Sequence, residues 1–475
     1  MSATMTPGIF LVTLALAIAA LIVLIIKLKM HPVLALFLTS LGLGLALGNG
    51  LIGSVNLVNA GFGGTLNGIG VTIILGSILA MGIQDTGAAT AIANFFTRLF
   101  RGKALELAPS LTAFIVSIPV FGDITMVLTA PIASILALRR KISMSSMAAF
   151  TGLGLFLTHA LVPPTPGILA IALMYGADLG LTIFWGTVIS AVAFFGTWLL
   201  MRKWCEKEWI DPRPDFVEGF EPAKSDKVED IIIHAPGLPN AFVALLPVLI
   251  PVVLITFGSF AKVYMGEGTA ARVFFTSTGD RVIALLLGVV FTLVLGFAKG
   301  DKVLAHHLRT TGSDKESLKE ILFGTWVGRG LLVALLPLLI TAMGGAMGGV
   351  LKTAPVIKEL GVMVTSSHIM PLLVPYLTAA ILMTAVGSMT AAGLTAAGII
   401  LPMMDTLGLS PVAATLAIGS GTLMLNHLNN SGFWIMSQFF NLNTKQGLKY
   451  ITAPCMVGSL ISIITLMILV SVGLI

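Results

Sequence analysis

Charge is scarce in this chain. Only 10% of its 475 residues are Asp, Glu, Lys or Arg, where a soluble domain carries about 25%. A soluble core under a solvated, charged surface is thereby excluded. Cysteine is scarce too. Cys205 falls in a polar segment and Cys455 in an apolar run, which is neither a disulfide framework nor a metal-ligand spacing, so both read as structural and no metal is expected. No basic stretch precedes the first apolar run in "MSATMTPG", so a cleavable signal peptide is not expected. No Lys-Ser/Thr directly follows "GGAMGG" at 344–349, so this is no phosphate loop; its small residues are expected to let helices approach closely. No nucleotide-binding domain is legible, which argues against a self-contained ATP-driven pump. No catalytic group stands beside a partner, so neither an enzyme nor a cofactor is expected.

Apolar sequence is what the chain has in abundance. It is 56% hydrophobic with a mean hydropathy of +1.01. Runs at 8–26, 180–201, 238–258 and 450–473 are each long enough to cross a ~30 Å hydrocarbon core as a helix. The chain therefore reads as an all-α polytopic membrane protein whose main partner is the lipid bilayer. A net charge of +6 does not point to nucleic acid, because Lys and Arg collect in the loops expected to face the cytoplasm.

Those cations give an orientation. Lys27 and Lys29 place the end of a first span (1–30) inside and the N-terminus outside. Residues 31–48 then cross outward and 65–86 return. Residues 88–103, with Arg98, Arg101 and Lys103, read as an in-plane helix. Next comes 104–138, flanked by Lys103 and by Arg139, Arg140 and Lys141, so both its ends are expected inside. Asp123 is its only charge between Glu106 and Arg139 and sits near the midpoint. Each half holds about 16 uncharged residues, or about 24 Å of helix, short of the core. A re-entrant hairpin with Asp123 near its tip fits that length, with Pro119, Gly122 and Asp123 at the turn. The next crossing, 146–178, is interrupted at "VPPTPG" (162–167). Pro163, Pro164 and Pro166 cannot continue a helix, and Thr165-Pro166 is a good start for a new one. Residues 180–201 return inside. Residues 202–237 mix both signs with proline and read as a cytoplasmic linker. Residues 238–280 supply a connecting span and an external loop, 281–298 come back, and 299–319 form a basic loop. Then follow 321–343, a second double stretch at 370–404, an interrupted one at 410–441, and a last span that leaves the C-terminus outside.

The halves 31–201 and 281–475 resemble each other. At a constant offset of 265, Gly122 meets Gly387, Thr125 meets Thr390, Ser145 meets Ser410, Ala148 and Ala149 meet Ala413 and Ala414, Gly154 meets Gly419, and Gly167 meets Gly432. The glycines coincide at both expected breaks. The charge pattern makes the second unit inverted in the membrane. The expected fold is two inverted repeats, each with a re-entrant hairpin and a broken transmembrane helix, with about 10 crossings and 2 hairpins. That is the plan of secondary transporters, whose substrates bind at the discontinuities.

Irregular backbone at membrane depth belongs where it lines a cavity. Each break opens a half-helix whose N-terminus carries free N–H groups and about half a positive charge, able to hold an anion without Lys or Arg. The expected caps are Asp123, Thr165, Ser388 and Asn430. Around them stand Gly122, Thr125, Gly167, Gly387, Thr390, Asn426, Asn429 and Ser431. This inventory suits a small, hydroxylated, carboxylate-bearing substrate. Asp123 has three readings: the carrier of the coupling proton, a plain cap, or a sodium ligand. His159 and His427 each read either as a packing residue or as a substrate contact. Asp85 reads as the boundary of a span.

The stretches "HPVLALFL" (31–38), "LTHALVPPTPGI" (157–168), "AVGSMTAAGLTAAGI" (385–399) and "GFWIMSQFFNL" (432–442) resemble the gluconate permease family of sugar-acid:proton symporters. The resemblance runs over nearly the full length. It implies a small-organic-acid carrier in the bacterial inner membrane, akin to the ion-transporter superfamily and so homodimeric and elevator-type. The chain departs from the family pattern at Asp123, where glutamate is usual, at Thr165, where histidine is usual, and at Asn429-Asn430-Ser431, where the family has Asn-Asp-Pro. The expectation therefore widens from gluconate to related sugar acids, short hydroxy acids or a polar amino acid such as D-serine. A cation/proton antiporter of the same superfamily is the other alternative.

Overall fold

A computed structural model describes residues 7–28, 30–101, 103–118, 122–223, 225, 227–233, 237–311, 316–351, 353, 370–427 and 430–475. The chain is nearly all helix, and no strand occurs among the described residues. Helices of nine or more residues are α1 (Pro7–Ile26), α2 (Pro32–Ala46), α3 (Gly50–Asp85), α4 (Ala88–Leu99), α5 (Leu107–Val116), α6 (Gly122–Arg140), α7 (Met144–Leu161), α8 (Pro166–Tyr175), α9 (Leu179–Cys205), α10 (Ala241–Tyr264), α11 (Ala270–Thr278), α12 (Arg281–Ala298), α13 (Gly300–Thr311), α14 (Trp326–Leu351), α15 (Leu373–Val386), α16 (Met389–Ile400), α17 (Pro411–Thr422), α18 (Ser431–Phe439) and α19 (Ala453–Ser471).

Polar residues start these helices by capping their free N–H groups. Asp178 Oδ1 accepts from Leu181 N at 2.8 Å before α9, and Asp280 Oδ1 from Val282 N at 2.9 Å before α12. Among the described residues, five helices are long and apolar enough to cross a membrane unaided, or six if α3, bent by 49° near Gly68, is counted as one span. The segment expected as a basic loop at 299–319 contains helix α13, so only part of it is loop. Ser143 caps α7 and Ser410 caps α17.

The helices pack in two groups. In one, α3 and α14 lie along each other beside α2 and α12. Their glycines permit this: a Cβ on Gly61 would stand 2.7 Å from Gly345 O, so "GGAMGG" serves close packing. Asp85, at the end of α3, is buried and ion-paired to Arg329 at 2.8 Å, and it accepts from Trp326 Nε1 at 2.7 Å. It is a cross-link to α14 as well as a boundary. The second group holds α5 to α9 with α15 to α19. At its centre, every residue of α7 except His159 is buried, as expected of a helix apolar all round. Cys205 and Cys455 are both buried and free.

The polar segment after α9 is fastened to this second group. Ile210 N donates to Ser143 Oγ, and Met144 N to Ile210 O, each at 2.9 Å. Asn441 Nδ2 donates to Asp211 O at 3.0 Å and Arg139 Nη1 to Asp230 O at 3.0 Å. Asn94 grips Ile233 through both backbone groups at 2.9 Å. Glu208 accepts from Gln446 Nε2 at 2.8 Å, Lys449 Nζ at 2.9 Å and Tyr450 OH at 2.8 Å. These donors hold its carboxyl down at about 2, with Gln446 the largest cause, then Lys449 and Tyr450.

Candidate functional site

Two apolar segments fold as helix pairs; the expected turn residue Pro119 lies with 120 and 121 outside the described residues. Helix α5 has 10 residues and α6 has 19; α15 has 14 and α16 has 12. At 1.5 Å per residue α5, α15 and α16 span about 15, 21 and 18 Å, less than a ~30 Å hydrocarbon core. The second turn is set by Gly387 at φ 73°, a left-handed position that glycine takes without strain. Ser388 caps α16 by accepting from Ala391 N at 3.3 Å. Two further segments are interrupted helices: α7 gives way to α8 across Val162–Thr165, and α17 ends at Thr422 and α18 starts at Ser431, with residues 428 and 429 between them outside the described residues. Asn430 caps α18, its Oδ1 accepting from Gly432 N at 2.5 Å.

The half-helix starts meet in two pairs. The first is α8 with α16: a Cβ on Gly167 would lie 3.2 Å from Thr390 Oγ1. Beside this junction is a cavity of about 10 Å³ lined by His159, Gly167, Met389, Thr390, Gly419 and Thr422, among others. That is room for about one water. Nδ1 of His159 is buried there without a hydrogen-bond partner. The second pair is α6 with α18: a Cβ on Gly432 would lie 2.9 Å from Asn430 Oδ1, 3.3 Å from Met126 Cε and 3.4 Å from Phe156 Cε1, and one on Gly122 would lie 3.5 Å from Leu155 Cδ2. Phe156 and His159 are less than one turn apart on α7, so α7 carries a side chain to each junction.

Not every candidate faces a junction. Thr165 starts α8 but its hydroxyl turns back to the Val162 carbonyl, so it gives no side-chain cap. Thr125 is fully buried, and its carbonyl accepts from Thr129 Oγ1 at 2.7 Å. His427 is half-buried and its carbonyl accepts from Asn430 N at 2.8 Å. Asn426 is 1% exposed, yet neither its Oδ1 nor its Nδ2 has a partner; only its carbonyl is held, by Thr452 Oγ1 at 2.6 Å. Asn429 lies outside the described residues, and so do the side chains of Asp123 and Ser431. Thr422 and Gly419 line the small cavity, a role not anticipated in the sequence, where Gly419 entered only as the counterpart of Gly154; both stand on α17, where an unbroken small-residue pattern hides a lining role. The pair Ser117 and Thr158, in hydroxyl contact where α5 ends against α7, was likewise missed, though Thr158 adjoins His159.

Helices that stop in pairs inside the core, with no Lys or Arg at the stops among the described residues, suit a permease. The chain belongs to the GntP family of permeases: the GntP family permease profile matches residues 9–473. It is 31% identical over 450 residues to the gluconate permease of Pseudomonas aeruginosa, covering 92% of each chain. It is 28% identical over 435 residues to the D-serine transporter DsdX of Escherichia coli, covering 91% of this chain and 92% of that one. Among solved structures it is similar in fold to the Alcanivorax borkumensis YdaH transporter, with a TM-score of 0.57 at 14% identity over 93% of this chain and 99% of that one.

Proposed function

We propose that this permease is a secondary active transporter that imports a small organic acid, a gluconate-like sugar acid or related hydroxy acid, by proton symport. The observation that carries the reading is the meeting of half-helix N-termini at Gly167 and Thr390. Each terminus presents unsatisfied N–H groups and a partial positive charge, so the junction receives a carboxylate without a buried Lys or Arg. Hydroxyl and amide groups at Thr390, Ser388, Asn426 and Asn430 suit a polyhydroxylated body. Asp123 takes up the coupling proton, since a second carboxylate near an anion is easier to keep neutral than charged.

Inverted repeats underlie this site. Helices α5 to α8 recur in order as α15 to α18, and α8 touches α16 as α18 touches α6, which is what an inverted pair requires. The group containing α3 and α14 acts as the static part, and the group fastened by residues 206–233 moves as one body in an elevator-type cycle within a homodimer. The membrane is the bacterial inner membrane, with both termini outside and 202–237 cytoplasmic.

A second reading, a D-serine-like polar amino acid as cargo, has support in the resemblance to the D-serine transporter. The purified protein in proteoliposomes tests both. Uptake of radiolabelled gluconate driven by an imposed proton gradient, and insensitive to sodium, is expected. Competition by D-serine but by no sugar or hydroxy acid would select the second reading, and no response to either class would reject both.

A further inference from the structure

Away from these junctions, where α5 begins and α6 ends, an open cavity of about 500 Å³ is lined by Lys103, Arg140, Lys141 and Arg202 against the two acids Glu106 and Glu206. One of the acids is already engaged: Glu106 is 8% exposed and accepts from Trp198 Nε1 at 3.0 Å. Four cations face two acids, so positive charge dominates. Two polar atoms in the wall lack partners. Ser146, 2% exposed, lines the cavity with its Oγ buried and unbonded, and so is Nε of Arg202. A buried hydroxyl or guanidinium N–H left unpaired costs about 1–3 kcal/mol, which a bound acceptor would relieve. The Arg202 guanidinium already lies 4.9 Å from the Trp198 ring centre, held with its remaining donors available to a planar or tetrahedral oxyanion.

We propose that this cavity binds the phosphate of an anionic phospholipid headgroup. The lipid source, as opposed to a soluble phosphate, follows from the surface beside it. Leu199 and Leu200, one turn or less before Arg202 on α9, are 65% and 71% exposed, and so offer the acyl chains an apolar track leading to the cations. Basic pockets between transmembrane helices take anionic headgroups in this way. The bound lipid joins both feet of the α5–α6 pair to α9 and to the start of α7, and so stiffens the body that carries the candidate site. The proposal needs only the membrane placement, not the identity of the cargo.

The test is thermal unfolding of the full-length protein in a neutral detergent, titrated with short-chain phosphatidylglycerol, short-chain phosphatidylcholine or inorganic phosphate. Phosphatidylglycerol is expected to raise the midpoint saturably, with little response to the other two. Arg140→Gln/Arg202→Gln should weaken the phosphatidylglycerol response by on the order of tenfold or more in concentration. Lys103→Gln/Lys141→Gln, at exposed positions that packing does not require, should weaken it in the same direction if the first variant does not fold. Equal responses to the two lipids, an undiminished response in the folding variants, or full reproduction by inorganic phosphate would each overturn the proposal.

Discussion

Helix α7 stops at Val162-Pro163-Pro164-Thr165, and α17 stops over the longer stretch from Leu423 to Asn430. The first break contains two prolines, which have no N–H to leave unsatisfied; Val162 N donates to Thr158 O at 2.9 Å, and the one hydroxyl, on Thr165, is bonded to Val162 O. The second carries three amides and a histidine among apolar residues, and it leaves Asn426 buried with both side-chain atoms unpaired. One break is chemically closed; the other holds capacity in reserve. Where two such breaks stand in related positions, the closed one supplies rigid geometry and the open one supplies recognition.

The largest effect should come from filling the rigid junction. Gly167→Val adds branches where even a Cβ lies 3.2 Å from Thr390 Oγ1, so α8 and α16 must separate. Displacing a positioned binding group by about 1 Å costs on the order of a hundredfold, and initial uptake rates should fall by about that much with protein still in the membrane. Gly432→Ala, at the other junction, puts a Cβ 2.9 Å from the capping Oδ1 of Asn430 and so displaces that cap, but it adds no branch that forces α6 and α18 apart; uptake should fall by less than at Gly167, and equal losses would erase the distinction. Asp123→Asn should abolish gradient-driven accumulation while leaving exchange of labelled for unlabelled substrate, and proton-driven uptake at the wild-type rate would remove the proton-carrier role.

Asn426→Leu sharpens the comparison by its sign. Replacing an unsatisfied buried amide with an apolar group of similar size relieves about 1–3 kcal/mol, so the ligand-free protein should unfold at a higher temperature while the ligand-induced shift shrinks. An amide needed only for structure would instead lower stability and leave the ligand-induced shift intact. The smallest effect concerns Glu208, which ties the segment after α9 to the start of α19. Its folded value is depressed, so its contribution is present above the usual carboxylate range, near 4.5, and is lost as pH falls toward about 2. Being near the surface, it is worth less than about 1 kcal/mol after screening. Wild type should lose stability relative to Glu208→Gln across that window and nowhere else.

Apolar run lengths and prolines made the helices and their interruptions legible, because those features act locally: the expected 281–298 coincides with α12, and "VPPT" with the first break. Family membership was legible in the motifs at the breaks. Pairing across the chain was hidden. Nothing near Asp85 announces Arg329, and nothing in the mixed-charge stretch around Glu208 announces Gln446, Lys449 and Tyr450. A composition that reads as a linker is compatible with a strap whenever its partners are backbone carbonyls and distant side chains. At the site, caps could be anticipated from residue type, as at Ser388 and Asn430, but whether a hydroxyl faces a cavity or its own backbone, as at Thr165, is decided only by packing.

The most direct test of the central claim is an experimental structure of the protein with the acid that most raises its unfolding temperature. The carboxylate is expected at the junction of α8 and α16, within hydrogen-bond distance of backbone N–H groups around Gly167 or Thr390 and remote from any Lys or Arg. A carboxylate held by a basic side chain, or lying in another part of the molecule, would contradict the account.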